Sequence, residues 1–402
     1  MPRRPTTTVL FGAFDRHNFG DLVFPHVAAA LLPGRELVFA GLAERDLRRY
    51  GGHRVRALHR LAGDGRLRGA QLVHAGGEIL TCSARQAAAM LLPGDAVTPT
   101  LSYLDRHPDE EPRWLRAMLG TSAAMPYVAS RAELPGIERV VFGAVGGVAL
   151  GALPPPWREA VLARLAAADA VAVRDAATLA QLQAAGIAAA LMPDPAVMVD
   201  VLFGVAIRAR AHRAPVGSLL AALPRGYIAV QLAADFGDDA TLALIAAQLD
   251  DAVEATGLGV VLFRAGAAPW HDELGLLQRI AGRMRSAAVR VFDGLDLWDI
   301  CALLAHCRVH AGSSLHGHIV ASAFGVPAVG LQRPDDGGGA GKLAAYAATW
   351  ESAGPPLLRP VAQLAEGLRA ALAGDAAPSL AQRARWVASY RGGFERLLRC
   401  LR

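Results

Sequence analysis

The chain has 402 residues, 53% of them hydrophobic and 19% charged, with 42 glycines. That is enough apolar material for two cores, and it excludes a disordered chain. A formal charge of +5 is mild for this length and accompanies no nucleic-acid motif, so an anionic ligand or surface is expected and a nucleic-acid partner is not. Cys82, Cys301, Cys307 and Cys400 form neither a disulfide framework nor a zinc knuckle.

In chain order, strands are predicted at "TTVLFGAF", "ELVFAGL", "AQLVHAGG", "ERVVFGA" and "AVAVRD", with helices near 21–32, 157–168 and 175–185. Residues 206–225 mix Pro, Gly and Arg and read as a linker. From 226 onward the alternation sharpens. Strands are predicted at "YIAVQLA", "GVVLFRAG", "VRVFDG", "RVHAG" and "PAVGL", with helices near 240–256, 272–285, 296–307, 315–324 and 341–350. The expected fold is α/β, two Rossmann-like doubly wound domains facing a cleft: 1–205, a linker 206–225, 226–378, and a basic amphipathic helix at 379–402.

Ligands of open parallel sheets bind beyond the carboxyl ends of the strands. Polar residues stand there in otherwise apolar surroundings. They are Asn18, Gly20 and Asp21; Gly76, Gly77 and Glu78; Arg174 and Asp175; Asp194; Arg264; Ser313, Ser314 and His316; and Gln332 and Arg333. The segment "RVHAGSSLHGHIVASAFGVPAVGL" reads as strand, tight turn, helix, Gly stop and strand. Its Ser313–Ser314 turn would bring hydroxyls and backbone N–H groups to a helix N-terminus, where the macrodipole favours an anion. His316 falls in the first turn of that helix, and His318 points elsewhere. An N-capped core helix with a surface histidine is the alternative reading. Lys342 is the only lysine among 41 basic residues and follows "GGGAG". A compact ammonium can approach a single phosphate oxygen where a planar guanidinium demands a second acceptor. Survival by drift at a solvated helix start is the alternative. His271, Asp272 and Glu273 are adjacent, which sends them to different helix faces, so no metal site is expected.

The run "SSLHGHIVASAFGVPAVGL" resembles the signature of the polysaccharide pyruvyl transferases. Other pieces follow in the family's order: "NFGD" at 18–21, "HAGGEIL" at 74–80, "AVAVRDAATLAQLQAAGI" at 170–187, "MPDPAVM" at 192–198, and a lysine opening the helix after the Gly-Val-Pro strand. The resemblance implies a fold similar to the GT-B glycosyltransferases. It also implies transfer of the enolpyruvyl carbons of phosphoenolpyruvate onto two hydroxyls of a saccharide, with loss of phosphate and without a cofactor or metal. Many members have Arg two residues before the histidine, where this chain has Ser314.

On that resemblance His316 is the expected acid and base. Ser313, Ser314, Gly317, Lys342, Arg174, Arg264 and Arg333 are expected to hold the donor's phosphate and carboxylate. Asn18, Asp21, Gly76, Gly77 and Glu78 are expected on the acceptor side. A glycosyltransferase using a nucleotide sugar, and a non-catalytic saccharide-binding homologue, remain as alternatives. The apolar run "VLFGAF" is too brief for a signal peptide, so a cytoplasmic chain is expected. The segment "SLAQRARWVASYRGGFERLLRCLR" would either rest on an anionic membrane at its inner face, serving a lipid-linked acceptor, or pack back onto the protein.

Overall fold

The computed structural model describes residues 6–332, 341–351, 358–374 and 377–401. The chain divides into two compact units, Met1–Pro195 with Ser389–Arg402, and Ala196–Ala388.

The first unit is built on an eight-stranded sheet of β1 (Thr7–Phe11), β2 (Glu36–Gly41), β3 (Arg45–Asp46), β4 (Arg54–Ala57), β5 (Ala70–His74), β6 (Ile137–Val145), β7 (Ala170–Val173) and β8 (Ala190–Leu191). The order is β3-β4-β2-β1-β5-β6-β7-β8, parallel except where β3 meets β4. The second unit carries a six-stranded parallel sheet of β9 (Tyr227–Gln231), β10 (Gly259–Phe263), β11 (Val289–Phe292), β12 (Val309–Gly312), β13 (Ala328–Gln332) and β14 (Leu358–Pro360), in the order β11-β10-β9-β12-β13-β14. Central strands covered on both faces must be apolar along their whole length, and β9 and β10 are buried at every residue. Val9, Leu72, Val140 and Phe142 centre the first core, and Ile228, Val230, Val260 and Val309 the second.

These orders locate the sites. In the first unit the chain winds from β1 toward β4 and then reverses through β5, so the switch point lies between the carboxyl ends of β1 and β5. In the second it lies between β9 and β12. A crevice forms at a switch point because the crossovers leave in opposite directions. The segments Asn18–Asp21 and Gly76–Glu78 flank the first switch point, and the Ser313–Ser314 turn flanks the second.

The expected linker at 206–225 is instead helical. It holds the end of helix Val199–Arg208, a 3₁₀ turn at Ala209–His212 and helix Val216–Ala222, all in the second unit. Two of its four arginines are committed to partners: Arg208 pairs with Asp200 at 2.6 Å, and Arg210 pairs with Asp296 at 2.8 Å and with Asp299. The unit boundary accordingly falls at Pro195, not at 205. The basic C-terminal segment forms helix Leu380–Cys400, whose Trp386, Tyr390, Phe394 and Leu397 are buried. Trp386 donates its ring N–H to the Trp350 carbonyl at 2.8 Å, and the Leu401 carbonyl accepts from Gln71. The aromatic stripe that a membrane would have received therefore packs on protein. Among the described residues no helix is long and apolar enough to cross a membrane.

Candidate functional site

In the second unit the turn after β12 is fixed by three hydrogen bonds. Ser314 stands at the N-cap of helix Leu315–Ala323, in extended backbone, and its Oγ accepts from the Gly317 N–H at 3.2 Å. The Ser314 N–H donates to Gln231 Oε1 at 2.8 Å, and Ser313 Oγ accepts from the Ala233 N–H at 3.2 Å. The expectation that amides from Ser313 to Gly317 grip phosphate is thus corrected at two positions, because the Ser314 and Gly317 amides are already bonded. A hydroxyl that accepts still has its own proton to donate, so Ser313 and the positive end of the helix are what this turn offers an anion.

Beside the turn lies a pocket of about 380 Å³, lined by Ser313, Lys342, Asp235, Trp270 and Gln332 among others. Lys342 opens helix Lys342–Trp350 and is exposed. The charged groups among the described lining residues are Lys342 and Asp235. Trp270 is 52% exposed and holds φ at +64°, a left-handed backbone that a bulky residue adopts only at a cost.

His316 is the second residue of its helix, 8% exposed, and is not one of the pocket's lining residues. His318 turns the other way, and its Nε2 meets the Glu351 carboxylate. Beneath the helix, His310 of β12 donates from Nδ1 to the Ala229 carbonyl at 3.0 Å. Burial pushes its pKa down to about 3, so the ring is neutral. Arg264, expected on the donor, does not line the pocket and donates to the Asp293 carbonyl at 3.2 Å. Arg333 lies outside the described residues.

Two further groups complete this end of the sheet, Gln231, which the sequence reading passed over, and Asp272, which it weighed only as a metal ligand. Gln231 is the polar residue ending β9, and Asp272 is a carboxylate only 7% exposed that accepts from Gln231 Nε2 at 2.8 Å and from the Ala265 N–H at 2.5 Å. Burial raises the Asp272 pKa to about 7. A lone amide ending an otherwise apolar strand was the available signal. No group of three or more metal-ligating side chains occurs among the described residues.

The expected acceptor residues surround the first unit's switch point. Asn18 caps helix Phe19–Ala30, accepting from the Gly20 N–H at 3.3 Å, and Asp21 is buried in its first turn. Gly76 and Gly77 hold φ at +110° and +92°, which glycine alone adopts readily. A Cβ on Gly77 would stand 3.3 Å from Asp21 Oδ1, so this backbone passes close to that carboxylate.

Glu78 accepts from the Val148 N–H at 3.2 Å and pairs with Arg174 at 2.5 Å. Arg174 is 1% exposed and also pairs with Asp194 at 3.2 Å. Its guanidinium is neutralised inside the unit, which corrects its assignment as a donor clamp. Nearby, Arg16 donates to the Tyr127 hydroxyl, whose own proton goes to Asp15 Oδ1 at 3.1 Å, while Asp15 Oδ2 accepts from the Leu42 and Ala43 amides at 2.6 and 3.0 Å. The charged trio Asp15-Arg16-His17 directly after β1 was its sequence signal.

Two parallel-sheet units, each with polar groups gathered at its switch point, make a GT-B-type α/β fold. Residues 147–335 match the sequence model of the polysaccharide pyruvyl transferase family, an enzyme family. The match spans Arg174, Gln231, Asp272 and the Ser313–Gly317 turn. No curated protein matches the chain. Among solved structures it is similar to UDP-N-acetylglucosamine 2-epimerase from Rickettsia bellii (8% identity, TM-score 0.58, 99% of this chain and 96% of that one). It is also similar to S. aureus MnaA in its UDP co-structure (11%, 0.53, 95% of each) and to α,α-trehalose 6-phosphate synthase from Burkholderia multivorans (14%, 0.50, 99% and 97%). At these identities the likeness establishes the fold alone.

Proposed function

We propose that the chain is a ketal-forming pyruvyl transferase, moving the enolpyruvyl group of phosphoenolpyruvate onto two hydroxyls of a saccharide and releasing phosphate. The observation that carries this reading is the pocket where Ser313 and Lys342 converge on the second switch point, with Ser313 inside the family-matched stretch and Lys342 just beyond it. Phosphoenolpyruvate is small and anionic, and a volume of about 380 Å³ accepts it. The Ser313 hydroxyl and Lys342 ammonium supply charge-assisted contacts to phosphate oxygens, and the helix N-terminus adds its field. Ser314 caps that helix and makes no cationic contact, so Lys342 carries the role that an Arg there would share.

The chemistry needs a proton delivered to the methylene carbon, protons removed from two sugar hydroxyls, and phosphate expelled as the second C–O bond closes the ketal. His316 is assigned delivery of the methylene proton and then removal of one hydroxyl proton, the proton of the other hydroxyl leaving with the phosphate, since an imidazole can both give and take a proton. The exposed face of Trp270 on the pocket wall suits a sugar ring's C–H face, and Asp235 suits its hydroxyls. Asn18, Asp21, Gly76, Gly77 and Glu78 are proposed as acceptor-binding residues of the first unit. A cytoplasmic location at the site of saccharide assembly accompanies the reading.

The deciding experiment incubates the protein with phosphoenolpyruvate and a panel of galactosides, mannosides and glucosides, free and lipid-linked, and measures phosphate release and a mass gain of the acceptor. UDP-sugars serve as the competing donors. Turnover with a UDP-sugar and none with phosphoenolpyruvate would replace the proposal with a glycosyltransferase.

A further inference from the structure

Three of the elements that line the donor pocket are the segment after β9 at Ala233, the loop carrying Trp270, and the turn at Ser313. One buried carboxylate reaches all three. Asp272 Oδ2 accepts from the Ala265 N–H at the start of the Trp270 loop, and Oδ1 accepts from Gln231 Nε2 at the end of β9. Gln231 Oε1 in turn accepts from the Ser314 N–H. The loop closes on itself through the Asp272 N–H to the Gly266 carbonyl at 3.2 Å, and ties to β9 through the Ala234 N–H to the His271 carbonyl at 2.7 Å.

The polarity of this chain of bonds is fixed at both ends. A backbone N–H can only donate, so Ser314 must meet the oxygen of the Gln231 amide. The amide nitrogen is thereby turned toward position 272, where only an acceptor fits. Both carboxyl oxygens of Asp272 accept, one from Gln231 and one from Ala265, and an amide of the same shape, with one oxygen and one NH₂, cannot accept at both. Close approach of the turn to β9 is also enforced, because a Cβ on Gly312 would stand 2.6 Å from the Gln231 carbonyl oxygen.

We infer that Asp272 is a positioning residue: acting through Gln231, it sets the place of the Ser313–Ser314 turn and thereby the affinity of the pocket for the donor's phosphate. The naming of that ligand rests on the proposed function; the positioning itself does not.

The substitution D272N tests the polarity. The asparagine amide offers one oxygen and one NH₂, so satisfying Ala265 sends a donor toward Gln231, whose amide must flip and present its NH₂ to the Ser314 N–H. Amide hydrogen exchange across 312–318 should then accelerate on the order of tenfold, the effect of losing one buried hydrogen bond. The double variant Q231E/D272N restores every bond with the charge moved, since the new carboxylate on β9 accepts both from the asparagine NH₂ and from the Ser314 N–H. Exchange should return to within about threefold of wild type, a non-additivity that simple loss of packing does not give. The Michaelis constant for phosphoenolpyruvate should follow the same order, raised on the order of tenfold in D272N and recovered in the double variant, with kcat moving less.

If the wild type releases no phosphate with any acceptor, the proposed reaction falls, while exchange and calorimetric binding of inorganic phosphate still decide the positioning. Wild-type exchange in D272N, or a double variant no better than its single parents, overturns the inference. Should D272N fail to fold, Q231M cuts the same relay with Asp272 intact, and unchanged exchange across 312–318 in that variant overturns it equally.

Discussion

An imidazole that is 8% exposed in the first turn of a helix has one chemical capacity that an amide of similar size lacks, proton transfer. Replacing His316 with Asn keeps similar volume and some hydrogen bonding. Turnover should fall by about 10² to 10⁴, with a much smaller change in phosphoenolpyruvate affinity, because the turn and Lys342 are untouched. More than about a tenth of wild-type turnover in that variant would remove His316 from the mechanism.

Lys342 should behave in the opposite way, with Lys342→Ala weakening donor binding more than kcat. Lys342→Arg separates chemistry from drift. Full activity with Arg would mean that the ammonium is not required at this helix start. Ser313 and Lys342, which line one pocket, were legible as candidates because each stands at or just before the start of a helix that follows a strand. The pairing of Arg174 was not. Its position after a strand is readable, but Glu78 and Asp194, which neutralise it, come from loops 96 and 20 residues away in the chain. Pairing across loops leaves no local trace in composition or periodicity.

At the scale of one element, helix Leu315–Ala323 is buried at every position, so its small residues are spaces occupied by something else. A Cβ on Gly317 would stand 2.8 Å from the buried His310 Nε2, a ring held by its bond to Ala229. Gly317→Ala should therefore destabilise the second unit by about 1–3 kcal/mol, the usual range for overpacking, although Ala is the better helix former. Chemical denaturation would measure it, and a stabilised variant would show that the ring yields freely.

Strands read well for a related reason. Those buried on both faces are continuous apolar runs, and all ten predicted strands are present. The strands missed were β3, β4, β8 and β14, short pieces at or next to a sheet edge, such as "RD" and "RVRA", in which outward-facing residues carry charge. Several helices were missed as well, including Leu58–Gly63, Ala84–Ala89, Gly94–Arg106, Glu111–Leu119 and Leu364–Ala373. Among them, Gly94–Arg106 contains Pro99, and Ala84–Ala89 is only two turns long. Propensity and length both argued against these two, and tertiary packing overrode them.

For the molecule as a whole, the pH dependence of stability is set by buried groups of opposite sign. Each sheet carries a fully buried neutral imidazole on a central strand, His74 in β5 and His310 in β12, with burial holding both pKa values down to about 3. A depressed histidine contributes stability that is whole above its ordinary value near 6.5 and is lost as pH falls toward 3, because the unfolded chain takes the proton first.

Asp272 runs the other way. Its pKa is raised from 3.8 to about 7, so the folded state binds the proton more tightly, and its contribution is whole below pH 3.8 and lost as pH rises toward 7. Between pH 4 and 6.5 the two slopes oppose, each up to about 1.4 kcal/mol per pH unit for one group. Asp272→Asn removes only the second. Equilibrium unfolding measured from pH 4 to 8 should give a variant whose stability climbs more steeply with pH across this window than that of the wild type, the two curves running parallel only above about pH 8. Parallel curves throughout would mean that Asp272 is ionised in the folded chain at pH 4. Its bonds to Ala265 and Gln231 would then outweigh its burial.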